Sequence, residues 1–175
     1  MSQVALQAFL DRELLSLTLA ATAQRSDLYA SDLTEAKRRP FQVSLRASLC
    51  QFAASYKTPV PEAEHIKNIQ DLARTLSQSH PDLLASGEMK FGHAQKALNL
   101  YLKYRWCLDQ AQEPPHFPID SIILKKVPGF ERFRWTRMES EEEYKEIISA
   151  ARKQAQKSGL SLARWELKEY KRRDA

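Results

Sequence analysis

The chain has 175 residues, 43% of them hydrophobic, which is enough to bury the core of one domain. Four glycines and the lack of alternating strand patterns argue for an all-helical protein and against glycine-rich phosphate loops. The net charge of +5 is unevenly placed: residues 90–137 hold 9 Lys/Arg against 4 Asp/Glu, residues 1–89 hold 9 against 10, and residues 138–175 hold 9 against 8. A basic middle between neutral flanks suits a polyanion such as DNA; it also suits an ordinary solvated basic face.

The chain begins without a basic region leading into an apolar run, and no apolar stretch approaches the ~20 residues of a membrane span. A cytoplasmic protein with no membrane contact is expected. Cys50 and Cys107 sit in apolar helical patterns far apart in sequence, so they read as reduced core residues.

In chain order, a first helix is expected over residues 4–24, with Leu6, Phe9, Leu10, Leu14, Leu15 and Leu17 on its apolar face. Residues 25–40 read as a polar connector, and residues 41–56 as a second helix on the spacing of Leu45, Leu49, Phe52 and Tyr56. Pro61, Glu62 and Glu64 open a third helix with the stripe Ile66, Ile69, Leu72 and Leu76, stopped by His80-Pro81. A short turn at Leu83-Leu84 precedes the strongest helix, residues 93–109, which offers Ala94, Ala97, Leu98, Tyr101, Leu102, Arg105 and Trp106 for packing.

A proline-rich loop, residues 112–118, leads to Asp120, placed to cap a short helix holding Ile122, Ile123 and Leu124. The turn Val127-Pro128-Gly129 opens an aromatic, basic stretch from Phe130 to Arg137. Ser140 and Glu143 form a capping box for a helix to Lys157, closed by Gly159. Ser161 starts a last helix packing Leu162, Trp165, Leu167 and Tyr170, with Lys168, Lys171, Arg172 and Arg173 trailing into solvent. The expected whole is one helical domain over residues 1–175, whose residues 138–175 make a C-terminal helical pair.

The constellation with chemical potential combines Gly92, Lys96 and Asn99 with Pro118-Ile119-Asp120-Ser121. It puts a lysine near the start of one helix and an aspartate at the start of the next. These residues resemble the helix-hairpin-helix DNA glycosylases, whose hairpin is written roughly Leu-Pro-Gly-Val-Gly-x-Lys-x-x-Asn. The Pro-Ile-Asp-Ser stretch looks most like the archaeal-type 8-oxoguanine glycosylases. Gly92 matches the first hairpin glycine, while Ala94 stands where the second is usual.

The resemblance implies a helix-hairpin-helix segment over about residues 62–126, with Gly92 in a tight turn between two helices. It implies Lys96 as an amine nucleophile toward the sugar of a flipped nucleotide. Asp120 would orient the lysine and stabilise positive charge on the sugar. The residues expected to meet DNA are Lys90, Gly92, His93 and Gln95 at the hairpin, then Lys125, Lys126, Arg132 and Arg134. Tyr104 and Trp106 are candidates to stack a base, and core packing is the other reading of both.

His65, His80, His93, His116 and Cys107 have no metal-ligand spacing, and the sequence calls for no metal and no cofactor. Two rival classes stand beside the enzyme. One is a non-catalytic helical module whose basic middle binds nucleic acid or an acidic protein; the other is a subunit using the aromatic, basic segment 130–137 as an interface.

Overall fold

The computed structural model describes residues 2–24 and 26–171. Among them the helices are α1 (Gln3–Ala23), α2 (Glu35–Ala53), α3 (Glu62–Ser79), α4 (Phe91–Cys107), α5 (Ser121–Leu124), α6 (Glu141–Lys157) and α7 (Leu162–Glu169), with short 3-10 turns between some of them. The one β-bridge among these residues is an isolated antiparallel pairing of Tyr29 with Leu84, which ties the α1–α2 connection to the loop before α4. The result is a single all-α domain, and among the described residues no helix is long and apolar enough to cross a membrane.

The organising element is α4, buried on every side from Phe91 to Leu102. Helices α1, α2 and α3 and the 3-10 turn Trp135–Arg137 all pack on it. Such a helix needs small or apolar residues all round, and Ala94, Ala97, Leu98, Tyr101 and Leu102 supply them. Its buried exceptions, His93, Gln95, Lys96 and Asn99, each require a partner inside the protein or carry a desolvation cost.

The stripe Ile66, Ile69, Leu72 and Leu76 of α3 is buried as its spacing requires. The capping box Ser140/Glu143 is formed at α6, and Gly159 closes that helix with φ +64°. Helix α2 begins at Glu35, six residues before Phe41, and carries Pro40 inside it. Proline lacks an amide donor there, but the Thr34 cap and the buried Phe41, Leu45 and Leu49 hold the helix through it.

Only part of the expected leucine face of α1 packs, Leu15 in the core and Leu14 against it. Leu15, Thr18, Leu19 and Thr22 are buried, whereas Leu6, Phe9 and Leu17 are exposed. The two threonines enter the core because their hydroxyls donate to the carbonyls of Leu14 and Thr18, at 2.8 Å each. Cys50 and Cys107 are free thiols but exposed rather than core, because α2 and the end of α4 turn them outward. Leu167 of α7 is likewise exposed, while Leu162 and Trp165 pack. Lys168 and Lys171 are exposed; Arg25, Arg172 and Arg173 lie outside the described residues.

Candidate active site

Residues 117–120 run along α4 and are held by its polar side chains one after another. The Gln95 side-chain amide bonds both backbone polar groups of Ile119: Nε2 donates to the carbonyl at 2.8 Å, and Oε1 accepts from the amide at 3.0 Å. One turn on, Asn99 Nδ2 donates to the Phe117 carbonyl at 3.0 Å. Beside them Lys96 Nζ meets Asp120 Oδ2 at 2.6 Å, across 24 residues of sequence.

Asp120 divides its carboxylate between two tasks. Oδ1 caps α5 by accepting from the amides of Ile122 and Ile123 at 2.9 and 3.1 Å, while Oδ2 takes the lysine. Both side chains are buried, with 5% and 11% of their surfaces exposed. Ion pairs so placed persist only with good geometry and further hydrogen bonds, and the cap supplies those bonds.

A second buried pair stands nearby. Lys103 of α4 lies 2.7 Å from Glu166 Oε2 of α7, and Glu166 also feels the charges of Lys96 and Asp120. Burial pushes the Glu166 carboxyl above its ordinary range, with Lys103 opposing. Tyr170 adds its ring 4.5 Å from Lys103 Nζ, so α7 is fastened over this part of α4.

On the other side, Asn99 Nδ2 donates to Tyr144 Oη at 3.1 Å, which in turn meets His116 Nδ1 at 2.9 Å. The other His116 nitrogen, Nε2, lies 3.0 Å from Glu62 Oε1. The His116 contact, then the Arg152 guanidinium, hold the Glu62 carboxyl down at about 2 against partial burial. Burial lowers His65 to about 3 and lowers His116 as well.

The residues assigned to DNA divide into two groups. Gly92, His93 and Gln95 are buried and cannot meet a duplex in this conformation. Gly92 sits in the first turn of α4 and not in a turn between helices, which corrects the hairpin expectation. Its amide donates to the Met138 carbonyl at 2.9 Å, and a Cβ there would lie 1.9 Å from the Trp135 carbonyl oxygen. Glycine is therefore required for close helix-to-turn packing, and the amide is not free for a phosphate.

His93 packs edge-on against Trp135, with ring centroids 5.7 Å apart, and burial lowers it to about 4. Lys90 is half-buried and pairs with Glu139 at 3.0 Å. By contrast Lys125, Lys126, Arg132 and Arg134 are exposed, and none is in an ion pair among the described residues. Arg137 joins them on the same terms.

The aromatic segment turns inward. Trp135 is buried and Phe130 and Phe133 are half-buried, packed on one another 6.1 Å apart, while the cations of this segment face solvent. Tyr104 and Trp106 are half-buried; the Arg164 guanidinium lies 5.8 Å from the Trp106 ring.

Sequence reasoning missed Gln95 as a backbone clamp, the Lys103–Glu166 pair and the Tyr144–His116–Glu62 chain. The available signal was the run of polar residues at 95, 96 and 99 within an otherwise apolar helix. Compared with models of protein families, with curated proteins and with solved structures, the chain shows no match.

Proposed function

We propose that this chain is a DNA-binding protein of the base-excision kind, with Lys96 as the nucleophile and Asp120 as its carboxylate partner. The observation that carries the reading is the convergence of these two side chains at 2.6 Å, buried together, with the carboxylate oriented by the α5 cap.

Proton transfer from Lys96 to Asp120 Oδ2 frees the amine lone pair, which forms a C–N bond at C1′ of the sugar. The glycosidic bond breaks, its electron pair leaves with the base, and the proton passes from Asp120 to that base. Opening of the sugar gives a lysine imine, and loss of a C2′ proton then expels the 3′ phosphate and nicks the strand. With the lysine side chain only 5% exposed, a flipped nucleotide reaches Nζ only when the cover over α4 opens. Backbone phosphates meet the exposed Lys125, Lys126, Arg132 and Arg134 rather than hairpin amides.

One observation favours a second reading. Gln95 and Asn99, which flank Lys96, bind the same segment purely as structural clamps, so the ion pair can be a third clamp in a non-catalytic nucleic-acid-binding module. Incision of a duplex carrying an abasic site separates the two. The enzyme reading expects nicking by the wild-type chain and at least about a hundredfold less by folded Lys96→Gln; no nicking by a chain that binds the duplex favours the module, and equal nicking by both removes Lys96 as the nucleophile.

A further inference from the structure

A groove of about 490 Å³ lies between α1 and α2, lined by Ser16, Tyr29, Glu35, Arg38, Gln42 and Arg46 among others. Arg38 stacks its guanidinium 4.9 Å from the centre of the Tyr29 ring. Arg46 Nη2 donates to Ser16 Oγ at 3.1 Å. Neither arginine pairs with a carboxylate among the described residues. The acid in the groove, Glu35, accepts from Gln42 Nε2 at 2.6 Å. Arg38 Nε is shut away from water without a hydrogen-bond partner, and the Tyr29 hydroxyl lies against the Gln42 side chain.

The Arg38 and Arg46 guanidinium groups thus line one groove without an ion-pair partner, and paired guanidinium forks suit an anion. Arg38 and Arg46 stand eight residues apart on α2, so their Cα atoms are roughly 12 Å apart along the axis, within joint reach of two long side chains. A carboxylate ligand has two oxygens and fills one arginine fork. Two forks call for more acceptors, which a tetrahedral phosphoryl group provides. We infer that the α1–α2 groove binds a phosphoryl group, held by the Arg38 and Arg46 guanidinium groups. The volume exceeds that of a bare phosphate and falls in the range of small-ligand pockets, so the group arrives either as free phosphate or as the end of a nucleic-acid strand. The inference is independent of the chemistry at Lys96.

The test titrates the full chain with inorganic phosphate by calorimetry, against sodium chloride at matched ionic strength. It then compares 5′-phosphorylated and unphosphorylated oligonucleotides by fluorescence anisotropy. Saturable phosphate binding is expected, weakened about tenfold or more in Arg38→Gln and in Arg46→Gln. Arg38→Lys should restore only part of it, since an ammonium keeps the charge but not the fork. If a strand end is the source, the 5′ phosphate tightens oligonucleotide binding in the wild type and not in either Gln variant. If free phosphate is the source, both oligonucleotides bind alike while inorganic phosphate still saturates the groove. No saturable binding of either probe by the folded wild type, or binding unchanged in both Gln variants, overturns the inference. Circular dichroism melts confirm that each variant is folded.

Discussion

Asp120 does at the scale of one side chain what the site does as a whole: one oxygen builds local structure and the other holds Lys96. The two tasks separate by mutation. Asn caps a helix about as well as Asp, so Asp120→Asn leaves the buried ammonium without its counter-charge but keeps the cap, whereas Asp120→Ala loses both the charge and the cap. Asp120→Ala is therefore expected to lower stability by about 3–5 kcal/mol, and Asp120→Asn by less, as read by urea unfolding. Gly92→Ala is expected to destabilise by about 1–3 kcal/mol or more, because its Cβ meets the Trp135 carbonyl oxygen; a neutral result would refute that close approach. Histidines set the acid limit. Burial holds His65 at about 3 and His93 at about 4, below the ordinary value near 6.5. The unfolded chain thus takes up protons that the folded chain refuses. Stability is full above about pH 6.5 and falls as pH drops toward 4 and then 3, by about 1.4 kcal/mol per pH unit for each such histidine. Glu62, held at about 2, adds a loss in the same direction below its ordinary range. Urea midpoints at about pH 7.5, 6 and 5 should fall in that order, less steeply in His93→Gln; a flat profile contradicts the burial of neutral rings.

At the level of elements, α4 and the segment after it form one unit, because Gln95, Lys96 and Asn99 bond residues 117–120 in register. Gln95→Ala removes both bonds to Ile119 and leaves a buried amide and carbonyl unpaired, at an expected cost of about 2 kcal/mol or more. Hydrogen exchange should locate the loosening at residues 117–124; loosening confined to α4 would mean that the clamp is not the link. Helices with an apolar stripe on one face and side-chain caps are legible from the sequence: α3 by Ile66, Ile69, Leu72 and Leu76, α6 by Ser140 and Glu143. Pro40 hides the true start of α2, because a proline usually marks a helix boundary, and only the tertiary burial of Phe41 and Leu45 shows why the helix continues through it. The buried face of α1 is hidden in another way: leucines outvote threonines on hydrophobicity, yet a threonine hydroxyl bonded to its own helix packs as a small apolar side chain. The site is half legible. The lysine and aspartate can be paired by their sequence context, while the roles of Gln95, Tyr144 and Glu166 depend on a helix enclosed on all sides, which no single helical pattern reveals.

Over the whole molecule, the excess of positive charge in residues 90–137 divides into a buried and an exposed part. Lys96 and Lys103 are committed inside; Lys125, Lys126, Arg132, Arg134 and Arg137 face solvent. Only the exposed part can release counterions. DNA affinity is expected to fall with salt, and Lys125→Gln with Lys126→Gln should flatten the log–log slope by about 1 for each phosphate no longer neutralised. Lys90→Gln should change it less, because Lys90 already faces Glu139. Affinity insensitive to salt would point to a protein partner. The most direct measurement of the central claim is borohydride reduction of the protein on a duplex carrying an abasic site or an oxidised purine, followed by peptide mapping. Borohydride turns a transient imine into a stable amine, so the account predicts a covalent adduct on Lys96, absent from Lys96→Gln although that variant stays folded and binds DNA. An adduct on another residue, one that survives Lys96→Gln, or no adduct with any lesion while binding remains sound, would contradict it.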